Sequence, residues 1–126
     1  YTTLFRSGIT LDRNPEELQR DHIFPRATLL KEGKSEDEAN YYANFHFLRA
    51  KDNLNKSDTP PHEWFNKPGK GLAAYSDEDL AERDLERDLL KPGKFKKMVA
   101  VRSEAFKRKA EKLFGMKVDA FDTLFH

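Results

Sequence analysis

Prolines limit the length of the elements that this chain can form. Pro25, the pair Pro60 and Pro61, and Pro92 each end a segment, because a proline inside a helix or a central strand removes a hydrogen bond and clashes with the preceding turn. No proline follows Pro92. The sequence therefore predicts elements that end at these prolines and one long helix, over residues 94–114, after Pro92.

Two short segments have the side-chain pattern of β-strands. Residues 18–24, LQRDHIF, follow a turn at NPEE and precede Pro25, which disfavours a helix at the residue before it. Residues 44–50, NFHFLRA, carry aromatic side chains at alternate positions. We predict a strand in each segment.

Helix signals surround the two strands. Ser35 and Glu38 form a capping-box pattern, which predicts a short helix that continues to about Tyr42. KDNLNKS and PPHEW begin two more short helices, and Ser76 is predicted to cap a helix that continues to about Leu90. On the long final helix we expect one apolar face to be buried, made of Phe95, Met98, Val99, Phe106, Ala110 and Leu113.

These elements together predict an α+β fold. We expect a two-stranded antiparallel ribbon that is crossed by a helix, further helices around it, and a mostly helical C-terminal part. The Gly-rich segment at residues 67–71 is the best linker candidate. We therefore expect a core with its N-terminal lead-in at residues 1–68 and a helical extension at residues 69–126. An isolated ribbon is barely stable, so the extension is expected to pack on the core.

The composition excludes several kinds of site. The chain has no cysteine, which excludes disulfides, a thiol nucleophile and thiolate zinc sites. Its ten Phe, four Tyr and one Trp can supply a core, so wholesale disorder is disfavoured. It has no long apolar run and no signal-peptide pattern, so we expect a soluble, cytoplasmic protein that does not contact membranes. Its first residue is Tyr1 rather than Met, which suggests a piece of a longer polypeptide.

The net charge of +1 conceals a separation of charge along the chain. Residues 76–88 contain seven acidic and two basic side chains, whereas residues 91–112 contain nine basic and two acidic ones. The basic segment could bind a polyanion, or the acidic and basic helices could lie against each other. The sequence leaves both interpretations open.

Four polar residues stand near the ends of the predicted strands. Asp21 and His22 end the first strand, Asn44 begins the second, and Asn53 lies nine residues later in the following helix. A short strand and a sharp turn can bring the start of this helix back beside the end of the first strand. Each residue alone is a weak signal, since asparagines commonly cap helices and form turns. Their combination is more specific.

The residue types suit hydrolysis of a phosphodiester. A neutral imidazole can take a proton from water near neutral pH, which makes His22 the candidate general base. The oxygens of Asp21 and Asn53 are hard ligands that favour Mg²⁺ or Mn²⁺ over zinc. Adjacent strand residues point to opposite sides, so Asp21 and His22 can serve one site only if the strand end twists, which Pro25 and the following loop favour.

This set of motifs resembles the HNH endonuclease family, whose fold is the ββα-metal motif. DHIFP resembles the first block of the family, Asn44 its middle residue, and NFHFLRAKDNLNKSD its closing block, with Asn53 in place of the final histidine. The closing block is especially similar to the HNH domain of RNA-guided CRISPR effector nucleases, including the KSD at residues 56–58. DHIFPR and the C-terminal region also resemble the nuclease end of bacterial restriction and phage-defence proteins. The motif resemblance covers roughly residues 18–66.

The resemblance implies a metal-dependent endonuclease that cuts one DNA strand per active site. Asp21 and Asn53 would hold one divalent metal, Mg²⁺ or Mn²⁺, and His22 would be the base. Asn44 would hydrogen-bond the loop backbone and hold His22 in place. The expected partners are nucleic acid, most simply DNA, and either other domains of a longer polypeptide or a second copy of the chain.

Other polar residues have two interpretations each. The cationic side chains that border the predicted site are candidates for phosphate contacts or are ordinary surface charges: Arg26, Arg49, Lys51 and Lys56. His46 lies on the same strand face as Asn44, as a half-buried strand histidine or near the metal. Two other functions also remain open. One is a degenerate module that binds nucleic acid through the basic helix without cutting it, and the other is a protein-docking domain.

Overall fold

The computed structural model describes residues 14–67 and 74–115. In these ranges the fold is α+β, as predicted, with one two-stranded antiparallel sheet, six α-helices and a mostly helical C-terminal part. The strands are β1 (Leu18–His22) and β2 (Phe45–Arg49), and the helices are α1 (Arg26–Lys31), α2 (Glu36–Ala39), α3 (Ala50–Lys56), α4 (Pro61–Trp64), α5 (Asp77–Glu82) and α6 (Phe95–Phe114). Two 3₁₀ turns, Tyr42–Asn44 and Arg87–Leu90, complete the described elements.

The pairing of the two strands decides which side chains share a face. Asp21 is opposite His46, and His22 is opposite Phe45. Because side chains alternate along a strand, the ribbon has a covered face with Gln19, Asp21, His46 and Leu48 and an open face with Leu18, Arg20, His22, Phe45, Phe47 and Arg49. Helix α3 packs on the covered face, whereas Leu18 and Phe47 on the open face are 64% and 60% exposed.

Helix α3 begins directly after β2 and runs along the ribbon. Its first backbone N–H groups donate out of the helix, from Ala50 to Glu17 O at 2.7 Å and from Lys51 to Pro15 O at 3.1 Å. The start of α3 therefore lies beside the beginning of β1, not beside its end as expected, because β2 runs antiparallel and returns the chain to that point. Only the last turn of α3, at Lys56, reaches the end of β1.

One hydrophobic cluster joins the ribbon loop to the C-terminal helices. Ile23 is fully buried just after β1, and the ring of Phe24 packs edge-on against Phe95 of α6, with centroids 5.6 Å apart. The other fully or almost fully buried members of this cluster come from both parts of the chain: Leu29, Ala39, Ala43, Trp64, Phe65, Leu80, Leu90, Met98 and Val99. The predicted linker at residues 67–71 lies almost wholly outside the described residues.

The capping boxes at Ser35 and Ser76 are present as predicted, but the helix that Ser76 opens is shorter than expected. Helix α5 ends at Glu82 rather than near Leu90, because Asp84 adopts a left-handed backbone conformation with φ 59°. The N–H of Leu85 then bonds back to Leu80 O at 2.9 Å, which closes the end of the helix.

Helix α6 covers almost all of the predicted residues 94–114 and is followed by Gly115, whose left-handed φ of 68° favours glycine. Its predicted apolar face is buried only in the first turns, where Phe95, Met98 and Val99 are 3% exposed or less. The prediction was wrong for Leu113, which is 77% exposed. Among the described residues, no helix is long and apolar enough to cross a membrane.

Arg102 of α6 is one of the nine basic residues in residues 91–112, yet it is buried. Its guanidinium donates hydrogen bonds to Ala43 O at 2.8 Å, Phe45 O at 2.6 Å and Arg83 O at 2.9 Å. Burial lowers the pKa of Arg102 to about 10, against the opposing attraction of Asp84. The guanidinium therefore connects α6, the start of β2 and the end of α5.

Candidate functional site

Asp21 lies on the covered face of the ribbon and is 8% exposed. Its Oδ2 accepts a hydrogen bond from His46 Nε2 at 2.8 Å and lies 3.1 Å from Lys56 Nζ. Both contacts involve Oδ2, and within residues 14–67 and 74–115 no polar group pairs with Oδ1. One carboxylate oxygen is therefore held from two sides and the other is available to a ligand.

Lys56 points into the protein from the last turn of α3. The side chain is fully buried, and Nζ donates to His22 O at 2.8 Å and approaches Ile23 O at 3.5 Å. Burial lowers the pKa of Lys56, and the attraction of Asp21 opposes this shift. The prediction of a phosphate contact for Lys56 does not fit this position, because its ammonium binds the end of β1 and cannot reach solvent.

His46 lies opposite Asp21 on β2 and is 3% exposed. Burial lowers the pKa of His46 from 6.5 to about 4, although the hydrogen bond to Asp21 opposes the shift. The imidazole is therefore neutral near pH 7. Of the two interpretations that the sequence offered for His46, the structure agrees with the buried strand histidine. Its ring is nevertheless hydrogen-bonded to Asp21, the predicted metal ligand.

His22 points to the opposite side of the ribbon from Asp21. Its Nε2 donates to Asn40 Oδ1 at 2.8 Å, and its ring lies 4.6 Å from the ring of Phe45. Because an amide oxygen only accepts, Nε2 carries a hydrogen and Nδ1 of the neutral ring has the free lone pair. The expected twist that turns both side chains to one side is not seen, since His22 is still within β1.

Asn44 hydrogen-bonds the backbone of the loop that follows β1, as the resemblance implied. The side chain is fully buried, Oδ1 accepts from Phe24 N at 2.9 Å, and Nδ2 donates to Phe24 O at 3.0 Å and Ala39 O at 2.9 Å. Asn44 O also accepts from Ile23 N at 2.7 Å. These bonds fix the loop directly after His22.

Asn53 lies one step along the covered face from Asp21. Its Nδ2 donates to Gln19 Oε1 at 2.9 Å, and Lys56, one turn later on α3, contacts Asp21. Gln19 and Asp21 are two residues apart on β1 and therefore lie on the same face. The Asn53–Gln19 and Lys56–Asp21 contacts are thus neighbouring contacts between β1 and α3. Among the described residues, Asn53 Oδ1 has no polar partner.

The other three predicted phosphate contacts are exposed and form ion pairs. Arg26 pairs with Glu36, Arg49 with Asp52 at 2.9 Å, and Lys51 with Glu16 at 2.9 Å. Their side chains are between 40% and 48% exposed. They are accessible to a phosphate, but each would have to exchange a carboxylate for it.

Two residues near the site were not singled out from the sequence. Asn40 holds the imidazole of His22, and no sequence pattern indicates this contact. Arg20 is exposed on the open face, with its guanidinium 4.6 Å from the centroid of the Phe45 ring. The alternation of LQRDH could have found Arg20, since it shares a strand face with His22. Both Arg20 and Phe45 line a cavity of about 500 Å³.

Two hard oxygen donors lie on the covered face, Asp21 near the end of β1 and Asn53 beside Gln19. Asp21 Oδ1 and Asn53 Oδ1 are hard donors, and both lack a polar partner among the described residues. No cluster of three or more His, Asp or Glu residues suited to a metal occurs in residues 14–67 and 74–115. A cation held by these two oxygens would take its remaining ligands from water or phosphate. The positive charge of Lys56 beside Asp21 opposes the binding of a metal cation there.

Comparisons with protein-family models, with curated proteins and with solved structures gave no significant match to this chain.

Proposed function

We propose that this protein is a metal-dependent endonuclease of the HNH type that hydrolyses DNA phosphodiester bonds, one strand per active site. In this proposal β1, β2 and α3 are the ββα-metal core. The observation that carries it is the sequential pair at the end of β1, where Asp21 has an unpaired carboxylate oxygen and His22 an available imidazole nitrogen. The motif resemblance of residues 18–66 supplies the reaction type.

Asp21 and Asn53 would hold the metal. Both are oxygen donors on the covered face, and Asn53 would turn its amide from Gln19 towards Asp21. A bound Mg²⁺ or Mn²⁺ supplies positive charge to the phosphate oxygens and to the leaving oxygen. His46 keeps the carboxylate of Asp21 in place through its other oxygen, which Lys56 also contacts.

His22 would take the proton from the attacking water. Its Nε2–H bond to Asn40 Oδ1 fixes the tautomer with the lone pair on Nδ1, which is the form that can accept a proton. Asn44 holds the loop that follows His22 and limits the movement of the ring. The Cα atoms of the consecutive residues Asp21 and His22 are about 3.8 Å apart, but their side chains lie on opposite sides of the ribbon, so the proposal requires the end of β1 to twist when a phosphate binds.

The open face of the ribbon is the proposed approach for DNA. Arg20 and His22 share it, and Arg20 lies against Phe45 with its guanidinium exposed to an incoming phosphate. The same resemblance suggests that the module belongs to a larger bacterial restriction or phage-defence protein, in which other domains choose the target.

The first experiment measures nicking of supercoiled plasmid by the purified chain with Mg²⁺ or Mn²⁺. We expect nicked circles with the wild type and a loss of at least ~100-fold for His22→Ala, since a general base contributes about that factor or more. His62→Ala is the matched control, because His62 is partly exposed and its ion pair is with Glu63. Nicking that continues in EDTA, or that His22→Ala performs at the wild-type rate, would contradict the proposal.

A second function has one observation in its favour. The buried ammonium of Lys56 already neutralises Asp21, which weakens the attraction of the site for a metal. A module that binds nucleic acid without cutting it would then use the exposed cations of α6, such as Lys97 and Arg108. Salt-sensitive DNA binding without metal-dependent nicking would support this second function.

A further inference from the structure

The two ring nitrogens of His46 face groups of opposite hydrogen-bonding character. Nε2 lies 2.8 Å from Asp21 Oδ2, which only accepts, and Nδ1 lies 3.5 Å from the Nη1 of Arg83, which only donates. Only a neutral imidazole with its hydrogen on Nε2 satisfies both partners. A protonated ring would direct an N–H group at the guanidinium.

The imidazole is also fixed in orientation from outside the ribbon. Its ring lies 5.6 Å from the ring of the fully buried Phe65. Arg83 is itself anchored, since Nη1 donates to Phe47 O at 3.2 Å and the guanidinium lies 5.2 Å from the centroid of the Tyr75 ring. Arg83 and Phe65 therefore restrict the direction in which His46 donates.

We propose that His46 is a positioning residue for the metal-binding carboxylate of Asp21, with Arg83 behind it as the group that fixes its tautomer. Nε2–H holds Oδ2 and leaves Oδ1 directed to a divalent cation. This inference rests on the proposed function, because it gives His46 a task only if Asp21 binds a metal. A hydrogen-bonded partner behind a ligand lowers the cost of ordering that ligand and fixes its geometry.

The same geometry excludes His46 as a metal ligand in this arrangement. Nε2 carries the hydrogen that binds Asp21, and the lone pair on Nδ1 is directed at Arg83. Neither nitrogen offers a lone pair to a cation near Asp21. The alternative that His46 approaches the metal is therefore replaced by an indirect role.

The test measures Mn²⁺ binding to the DNA-free protein by electron paramagnetic resonance, for His46→Leu and His46→Gln. The leucine variant removes the donor, and we expect Mn²⁺ to bind ~10-fold more weakly or worse, the usual effect of losing such a partner. Glutamine keeps an N–H donor that can reach Asp21, so it should restore most of the affinity. His62→Gln should bind Mn²⁺ as the wild type does, and Asp21→Asn should abolish binding.

Plasmid nicking with increasing Mn²⁺ separates this inference from the proposed function. We expect His46→Leu to need more Mn²⁺ for half-maximal nicking while approaching the wild-type rate at saturation. Wild-type nicking together with unchanged Mn²⁺ affinity in His46→Leu would overturn the positioning role alone. Weaker Mn²⁺ binding by His46→Leu, with no nicking by any variant, would leave the positioning role and reject the endonuclease.

Two further outcomes are decided by the same experiments. Absence of Mn²⁺ binding by the wild type would overturn the positioning role, because Asp21 would then hold no metal. Thermal unfolding in EDTA shows whether His46→Leu is folded. If it is not, Arg83→Gln decides, since it removes the guanidinium from Nδ1 and leaves the imidazole; unchanged Mn²⁺ affinity and rate in that variant would overturn the role of the pair.

Discussion

The buried ammonium of Lys56 stabilises the folded chain and opposes the binding of the proposed metal ion. Its ammonium satisfies His22 O and stands 3.1 Å from Asp21 Oδ2, inside a site that is closed to solvent at this point. Removing it leaves a buried carbonyl without a donor, which is costly. It also removes a positive charge from the position beside Asp21, which should favour a metal there. Stability and metal affinity should therefore respond in opposite directions.

We predict that Lys56→Met lowers the free energy of unfolding in EDTA by about 1–3 kcal/mol and tightens Mn²⁺ binding. Denaturant unfolding and a Mn²⁺ titration of the same sample measure the two effects. The matched control is Lys51→Met, whose exposed ion pair with Glu16 should contribute no more than about 0.5 kcal/mol. Weaker Mn²⁺ binding by Lys56→Met in the folded state would show that the ammonium supports the cation site rather than competing for it.

The sequence predicted where the polar residues Asp21 and His22 lie on β1, but it did not predict which side chains they contact. The alternation of LQRDH puts Asp21 and His22 on opposite sides, which is how they lie, but the expected twist that would turn both to one side was wrong. The identity of the neighbours depends on which helix covers each side and on its rotation. Lys56 reaches Asp21 because α3 runs along the ribbon, and His46 reaches it because the register of β1 and β2 places the two residues opposite each other; no local pattern contains that information.

At the scale of elements, helix α3 has an abrupt end. Ser57 follows Lys56 directly and adopts φ 46° and ψ −124°, a backbone conformation that favours glycine. Its N–H still bonds to Asn53 O at 3.1 Å. The helix therefore ends at Lys56 with backbone strain at the next residue, and contacts such as that of Lys56 with His22 O offset this strain.

We predict that Ser57→Gly raises the free energy of unfolding by about 1 kcal/mol, the low end of the cost of such a conformation for a residue with a Cβ. Ser57→Ala, which keeps the Cβ, is the control and should give no gain. The measurement is the denaturant midpoint of both variants against the wild type. Equal midpoints for glycine and wild type would mean that serine carries no strain here.

Element boundaries were predicted where a side chain caps the helix and missed where the backbone conformation decides. Ser35 and Ser76 open their helices with capping boxes that are visible in the sequence. The end of α5 depends on the left-handed conformation of Asp84, which nothing in ERDLERD requires. Aspartate adopts this conformation more readily than most residues, but far less often than glycine.

At the scale of the whole molecule, Arg102 connects parts that are distant in sequence. Its guanidinium supplies donors to three carbonyls, on the turn before β2, on β2 and after α5. Counting basic residues could not distinguish this side chain from the exposed cations of α6. The separated charges do meet elsewhere, where Lys109 pairs with Asp84 at 2.8 Å. The interpretation that the acidic and basic segments lie against each other therefore holds for Lys109, whereas polyanion binding by the exposed cations of α6 stays a prediction.

We predict that Arg102→Met lowers the free energy of unfolding by about 3 kcal/mol, because three carbonyls lose a charged donor in the interior. Arg108→Met, on the exposed side of the same helix, should change it by no more than about 0.5 kcal/mol. Thermal and denaturant unfolding of the two variants give the comparison. A similar small effect for both would show that α6 is held by its apolar contacts alone.

The register of the ribbon has a consequence for how sequences of this kind can change. The connection from residue 23 to residue 44 can gain or lose residues in its turns without altering the pairing of β1 with β2. A deletion of one residue within β1 is different, because it turns every side chain before it to the other face. If the deletion lies before Asp21 and instead shifts the residues that follow it, the carboxylate of Asp21 moves to the open face. The imidazole of His22 then moves to the covered face, beside Lys56. Such a change would exchange the faces on which Asp21 and His22 lie in a single step.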